Sequence, residues 1–196
     1  MDKKRMEMTC KEGFKDTFER YLRDVNREGI NDLIEWLDKT GFYDAPASGS
    51  YHLAKEGGLV EHSLNVVNLA VDLNKYMGEP VEKESVIIAA ALHDLGKHQY
   101  YGKDYYKENI LKSGNRSSAK PWTRNRDLIN VPHEIISIQI ASRFIDLTEE
   151  ETWAILHHNG LYGDLKYNLM GKESKLQMIV HFADMWASRV IEEVEE

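Results

Sequence analysis

The sequence predicts an all-α fold built as a single helical bundle, and three observations carry this prediction. Apolar residues recur at helical spacing through most of the chain, and no long segment alternates between apolar and polar residues as a half-buried strand does. The composition, 42% hydrophobic and 30% charged, is that of an ordinary globular protein. A chain of 196 residues fits one domain and buries about 70% of its unfolded surface, so it needs no disulfide to form a core.

The helical pattern is divided by recognisable start and stop signals. In chain order, we expect helices over residues 11–25, 30–40, 57–78, 82–96, 132–145, 148–160 and 174–194. The second helix ends before Gly41, and Gly78 caps the third. Pro132 falls in the first turn of the fifth, where its missing amide hydrogen costs nothing. Thr148 and Glu151 have the spacing of a capping box at the start of the sixth.

Charge and cysteine content limit the class of protein. The net charge of −8 argues against a protein that coats long nucleic acid, because such binding depends on Lys and Arg. The single cysteine, Cys10, cannot form an internal disulfide, which indicates a reducing compartment. The N-terminus lacks the apolar stretch of a signal peptide, and the apolar run at 86–92 is too short to cross a membrane. We therefore expect a cytoplasmic protein with no membrane partner.

The segment 98–131 interrupts the helical pattern and is long enough to have a function of its own. It contains four tyrosines, Trp122 and five basic residues without an acid between positions 109 and 126: Lys112, Arg116, Lys120, Arg124 and Arg126. One interpretation is a packed loop with a solvated basic face. The other is a lid that contacts an anionic, base-containing substrate through charge and stacking. Its position between two histidine-bearing helices favours the lid, with Lys112, Arg116, Trp122, Arg124 and Arg126 as substrate-binding candidates.

Histidine and aspartate stand at several positions where core residues are expected. The apolar run 86–92 ends directly in His93 and Asp94, within AALHDLGK, and Asp184 interrupts the apolar stretch MIVHFADMWA. Other helices carry His62, His133 and the adjacent pair His157 and His158. Isolated charges at such places are costly unless they are paired or bound to a metal. One shared metal site would account for all of them together.

The residue types indicate which metals could be bound. Imidazole and carboxylate without thiolate suit Mn, Fe, Co, Ni or Zn in a catalytic site better than a closed structural zinc site. A carboxylate can bridge two divalent ions, and a pair of ions can hold a hydroxide and polarise a phosphate. His133 lies in the first turn of its helix, where the helix dipole favours the neutral imidazole that a metal requires.

The ordered set His62, His93-Asp94, His133, His158 and Asp184 resembles the HD-domain metal-dependent phosphohydrolase superfamily, in its two-metal H…HD…H…H…D form. The flanking sequences GGLVEHS, AALHDLGK, HHNG and HFADMWAS make the resemblance specific. They are especially similar to the HD modules of bacterial 3′→5′ exoribonucleases and to small stand-alone HD hydrolases. The resemblance implies an HD-type domain over residues 46–196, with N-terminal helices at 1–45 that pack on or extend its core.

The resemblance also implies a role for each of these residues. One ion would be bound by His62, His93, Asp94 and Asp184, and Asp94 would bridge to a second ion held by His133 and His158. Periodicity does not choose between His157 and His158; the family pattern selects His158 and leaves His157 as an additional candidate. Lys97 would contact a substrate phosphate, and His52 is a candidate for the same contact. His98 is a candidate for protonation of the leaving group.

Together these features predict a metal-dependent phosphohydrolase in which a metal-bound hydroxide cleaves a phosphoester or phosphoanhydride bond of a nucleotide. A nucleoside mono- or triphosphate is the first expected substrate. One alternative is a 3′→5′ exonuclease acting on short single-stranded RNA or DNA. Another is a catalytically idle regulatory module that binds a nucleotide in the same pocket. The sequence is compatible with a homo-oligomer, and the acidic tail at 191–196 is expected to influence solubility without a catalytic role.

Overall fold

The all-α prediction is confirmed, since the computed structural model is 55% helical and only 7% strand. It describes the backbone of residues 3–192 and the side chains of residues 12–192, so Cys10 and the last four tail residues lie outside the described side chains. The helices are α1 (Lys3–Arg23), α2 (Ile30–Thr40), α3 (Gly58–Tyr76), α4 (Lys83–Leu92), α5 (His133–Ala141), α6 (Glu149–Leu156), α7 (Lys166–Leu169) and α8 (Lys175–Trp186). No helix among the described residues is long and apolar enough to span a membrane.

The helix ends follow local chemistry. Thr148 and Glu151 form the predicted capping box at the start of α6, and α2 ends at Gly41 in a left-handed conformation. Several predicted helix ends are displaced, and two of them lie next to His93 and His133. Pro132 precedes α5 as its N-cap residue instead of lying in its first turn, and α4 ends at Leu92, before a short 3₁₀ turn at Leu95–Lys97. The displaced end of α4 leaves His93 and Asp94 in the turn between two helical segments.

Helix α4 lies at the centre of the molecule. Its residues 86–92 are all buried, and it packs against α1, α3, α6 and α8. An apolar helix without a polar face is stable only when neighbours cover it on every side. The chain that leaves α4 therefore starts from the middle of the core, which explains how His93 and Asp94 come to be buried.

The N-terminal helices share this core. Phe18 and Leu22 of α1 and Leu33 of α2 are fully buried in the same hydrophobic cluster as Leu59 of α3. Phe42, in a 3₁₀ turn at Phe42–Asp44, also belongs to it. The hydrophobic cluster crosses residue 45, so the division into 1–45 and 46–196 stays a prediction about domain boundaries.

The segment 98–131 contains two short hairpins where the sequence predicts a loop. Strands β1 (Gln99–Tyr100) and β2 (Lys103–Asp104) pair antiparallel, as do β3 (Tyr106–Glu108) and β4 (Trp122–Arg124). Tyr101 and Gly102 form the first turn with positive φ angles at both residues, the conformation that suits a two-residue hairpin. Strands of two or three residues are too short to show an alternating pattern, which is why the sequence does not predict them.

His98 belongs to the core. Its Nδ1 lies 2.7 Å from the Leu95 carbonyl and its Nε2 lies 3.2 Å from the Thr40 hydroxyl, while its ring contacts Trp36 and Phe42 edge-on. The structure therefore places His98 in the core with both ring nitrogens engaged, and gives no support to its predicted role in protonating the leaving group.

Burial of His98 predicts a loss of stability in acid. Burial lowers the pKa of this imidazole from 6.5 to about 4, so below pH 6.5 the unfolded chain binds the proton more readily than the folded one. The contribution of neutral His98 to the free energy of unfolding is complete above pH 6.5 and is lost as the pH falls towards 4. We therefore expect the free energy of unfolding to fall by about 2 kcal/mol between pH 7 and pH 5. The test is urea unfolding of metal-free His98→Leu and metal-free parent chain at both pH values. The free energy of unfolding should change less with pH in His98→Leu than in the parent chain. An identical change in the two proteins would contradict this account.

Candidate metal centre

Six side chains converge on two neighbouring positions near the end of α4. Ligand-type atoms of His62, His93 and Asp94 lie within 4.8 Å of one another, and so do those of Asp94, His133 and His158. The same limit holds for His93, His158 and Asp184. The structure thus brings together the six side chains that the resemblance implies as metal ligands.

The first position is surrounded by two imidazoles and two carboxylates. The Nε2 atom of His62 lies 3.2 Å from Nε2 of His93, 3.4 Å from Oδ2 of Asp94 and 3.2 Å from Oδ1 of Asp184. Atoms that bind one ion at about 2.0–2.2 Å are typically separated by about 3.0–3.6 Å from each other. These spacings are those of a ligand shell.

The second position uses the other oxygen of the same aspartate. Oδ1 of Asp94 lies 3.1 Å from Nε2 of His133 and 3.5 Å from Nε2 of His158, and the two imidazole nitrogens are 3.4 Å apart. Asp94 therefore presents one carboxylate oxygen to each position, which is the geometry that a bridging ligand requires.

The tautomers of the imidazoles fit a metal. His93 and His158 each have Nδ1 within 2.8 Å of a main-chain carbonyl three residues earlier, that of Ala90 or Ile155. Each Nδ1 therefore donates a hydrogen, and each Nε2 keeps its lone pair for the centre of the site. Oδ1 of Asp94 is buried without a hydrogen bond among the described residues. A divalent ion satisfies these acceptors, whereas each would be costly if left unpaired.

The charges favour a cation at the first position. Burial opposes the charged form of His62, but hydrogen bonds with Asp184, Asp94 and Glu192 hold its pKa well above the ordinary value. Burial likewise opposes ionisation of Asp94, but Lys97 and the surrounding histidines hold its pKa well below the ordinary value. The site therefore keeps its carboxylates ionised and attracts positive charge, which a divalent ion can supply.

The turn after α4 is held against α5 by close packing. The Ser137 hydroxyl accepts a hydrogen bond from the amide of Gly96 at 2.8 Å and lies 2.9 Å from the His93 carbonyl, to which it can donate. A Cβ atom at Gly96 would lie only 2.4 Å from the His133 carbonyl oxygen. The glycine of the HDLGK motif therefore permits the contact that places His133 next to Asp94.

Several partners of the ligands carry no signal in the sequence. Glu192, in the acidic tail, is buried with its carboxylate 3.0 Å from Nδ1 of His62, so the expectation of a tail that only influences solubility is wrong for this residue. Glu134 lies 3.3 Å from Nδ1 of His133 and accepts a hydrogen bond from Asn159. A glutamate in the first turn of a helix or in an acidic tail is usually solvated, and only the folded chain identifies Glu134 and Glu192 as partners.

A cavity of about 320 Å³ adjoins the first position. It is lined by the loop 47–52, Lys97, Tyr106, Lys120, Trp122 and Arg124. Two residues connect it to the metal centre: Lys97 has its ammonium 2.6 Å from Oδ2 of Asp94, and the His52 ring lies 4.6 Å from that of His62. The predicted substrate residues His52, Lys97, Trp122 and Arg124 therefore share one cavity, and Lys120 joins them.

Other predicted residues lie elsewhere. Lys112 and Arg126 are exposed and do not line this cavity; Arg126 lines a second one with Lys107. Arg116 stacks on Trp122 at 4.2 Å and pairs with Glu108, so it supports the cavity wall without lining it. Within residues 12–192, His157 belongs to none of the ligand groups and packs on Trp153 at 4.2 Å. The structure does not bring these four side chains to the cavity or to the two metal positions. For the three basic residues the reason is that side chains of one segment point to different sides of the folded chain.

A helical bundle with a buried HD turn and two carboxylate-linked histidine clusters is the arrangement of an HD-domain protein. The model of the HD-domain family matches residues 59–187, and the chain belongs to this family. Dihydroneopterin 2′,3′-cyclic phosphate phosphodiesterase of Methanocaldococcus jannaschii is 37% identical over 152 residues, which cover 75% of this chain and 53% of that protein. The chain thus spans about half the length of this relative. No solved structure matches the chain. The predicted family is confirmed, and the relative's name supports the predicted hydrolase class.

Proposed function

We propose that the chain is a metal-dependent phosphohydrolase that cleaves a phosphoester bond of a nucleotide-like substrate. The observation that carries the proposal is Asp94, whose two oxygens face two separate sets of imidazoles at 3.1–3.5 Å. Two divalent ions bound there would supply Lewis acidity and an activated water for attack on phosphorus. A retired regulatory module has no need of all six ligand groups, which argues against that alternative.

The protein's own groups bind and orient the substrate. We assign the phosphate to the side of the cavity that carries His52 and Lys97, because these residues adjoin the metal centre. Arg124, which also lines the cavity, would bind a further anionic oxygen, and Trp122 with Tyr106 would hold a planar base. Fixing the substrate against the ligands in this way supplies the proximity that lowers the barrier.

The cavity's volume favours a small nucleotide over a nucleic acid strand, since small-molecule sites typically enclose about 300–1,000 Å³. Because the relative is named for a 2′,3′-cyclic phosphate, we propose a cyclic phosphodiester as the first substrate to examine. The finer choice among cyclic, mono- and triphosphate substrates rests on this name and on the size of the cavity.

A substrate panel tests the proposal. We would measure product release from 2′,3′-cyclic nucleotides, nucleoside mono- and triphosphates, cyclic dinucleotides and a short RNA, with Mn²⁺, Co²⁺ and Zn²⁺ supplied separately. Turnover of a mononucleotide with any of these ions, and none after chelation, is expected. Stepwise shortening of the RNA, with every mononucleotide left intact, would favour the exonuclease. Nucleotide binding without turnover would favour the alternative of a regulatory module. Absence of metal binding would refute the proposal.

Trp122 should determine affinity for the base. Trp122→Ala is expected to raise KM for the nucleotide by about tenfold with little change in kcat, because stacking of a base on an aromatic ring contributes about 1–3 kcal/mol. Trp122→Phe keeps a ring and should lose less. A cyclic ester without a base or any aromatic ring, such as glycerol 1,2-cyclic phosphate, should be hydrolysed equally by all three proteins. Trp186→Ala, which removes an exposed tryptophan outside the cavity, is the control; an equal loss for both esters would show that Trp122 does not contact the base.

A further inference from the structure

Glu192 follows a π-helical turn at Ala187–Ile191 that continues α8. Its carboxylate lies 2.6 Å from Nδ1 of His52 and 3.0 Å from Nδ1 of His62, and it accepts a hydrogen bond from the Asn65 amide at 2.9 Å. The side chain is 1% exposed. One carboxylate from the acidic tail thus contacts a residue of the metal centre and a residue of the substrate cavity.

The burial of Glu192 requires specific compensation. A carboxylate removed from water is costly unless donors surround it, and here three side chains supply them. The wider π turn, a feature often found at functional sites, precedes this residue at the point where the chain turns inward.

Among the histidines of the first position, His62 has a distinctive partner. Nδ1 of His93 is bonded to a carbonyl of its own helix, α4, whereas Nδ1 of His62 is bonded to a carboxylate 130 residues away in the chain. A carboxylate on Nδ1 fixes the imidazole with Nε2 free for the ion and raises its basicity. The first position therefore depends on the tail in a way that the second position, at His133 and His158, does not.

We propose that Glu192 is a positioning residue that sets the metal affinity of the His62 position and fixes the orientation of His52 in the cavity. The inference rests on the proposed metal site. It makes the end of α8 and the following turn a part of the metal centre.

The test compares the two metal positions in one protein. Full-length chain stripped of metal would be titrated with Co²⁺, followed by calorimetry and by visible absorption, which reports coordination geometry. In the parent chain we expect two binding phases. Glu192→Ala should weaken one phase by about 10–100-fold and leave the other unchanged. Glu192→Gln keeps an oxygen acceptor and the side-chain volume, so it should weaken the same phase by a smaller factor.

The controls separate positioning from a general loss of structure. Arg189→Ala alters an exposed side chain of the same π turn and should titrate like the parent chain. If Glu192→Ala fails to fold, Glu192→Gln carries the test, with circular dichroism of the metal-free protein as the check on folding. Unchanged affinities in folded Glu192→Gln and Glu192→Ala, or equal weakening of both phases, would overturn the inference. A third equivalent of ion lost in these variants would make Glu192 a ligand instead. Absence of Co²⁺ binding in the parent chain would refute the proposed function itself.

Discussion

Alanine in place of Asp94 is expected to lower turnover by about 10⁴-fold and to weaken the binding of both ions. Asp94 presents one carboxylate oxygen to each cluster, so its loss affects the binding of both ions and the positioning that depends on them. It also leaves the Lys97 ammonium without the carboxylate that lies 2.6 Å away. Removal of any one histidine ligand should impair one metal position directly, so we expect a smaller loss of turnover than in Asp94→Ala.

The measurement is turnover with saturating Mn²⁺ or Co²⁺, together with the number of ions bound per chain. Asp94→Asn serves as the second variant, because it keeps the side-chain volume while removing the charge that holds both ions. Asp127→Ala is the matched control: Asp127 is exposed and pairs with Lys107 in the hairpin region. More than a tenth of the parent activity in Asp94→Ala would be incompatible with a bridging role.

Gly96→Ala is expected to destabilise the fold by about 4 kcal/mol and to displace His133 from Asp94. The added methyl would lie 2.4 Å from the His133 carbonyl oxygen, 2.8 Å from the Ile136 Cβ atom and 3.0 Å from the Ser137 amide nitrogen. Two of these atoms belong to the backbone of α5, so the helix itself must move. Because His133 begins that helix, the second metal position should lose affinity before the first.

Urea unfolding and metal titration of the variant provide the test. Gly13→Ala is a suitable control, since a methyl there meets no atom within 4 Å and lies on the exposed surface of α1. Alanine is favoured over glycine inside helices, so Gly13→Ala should stabilise by about 0.5–1 kcal/mol. A Gly96→Ala protein with parent stability and two intact metal phases would show that α5 does not depend on this contact.

The helices were predictable because their signals are local. Apolar spacing within α1 and the capping box of α6 lie within a few residues of each other, and both predict what the structure contains. The half-buried position of Asp184 follows from its apolar neighbours in the same way. That Asp184 and the five other proposed ligands bind metal stays a prediction.

The features that the sequence did not predict depend on distant partners. Glu192 and His62 are 130 residues apart, and the carboxylate stands in an acidic tail that resembles a solvated one. Ser137 joins two segments 41 residues apart. In the basic segment, Lys120 and Lys112 are equivalent in sequence, yet only Lys120 lines the cavity, because the hairpin turns decide which side chains face it.

The two hairpins between α4 and α5 have a consequence for how this protein could diversify. They contribute Tyr106, Trp122 and Arg124 to the cavity but none of the six proposed ligands. Main-chain contacts with the loop before α3 hold them in place, since the amide of Trp122 donates to the Gly49 carbonyl at 3.1 Å. Substitutions and length changes in the hairpins can therefore accumulate without touching the reactive centre. Selection or engineering can therefore change the substrate preference through the hairpins, while the six proposed ligands stay the same.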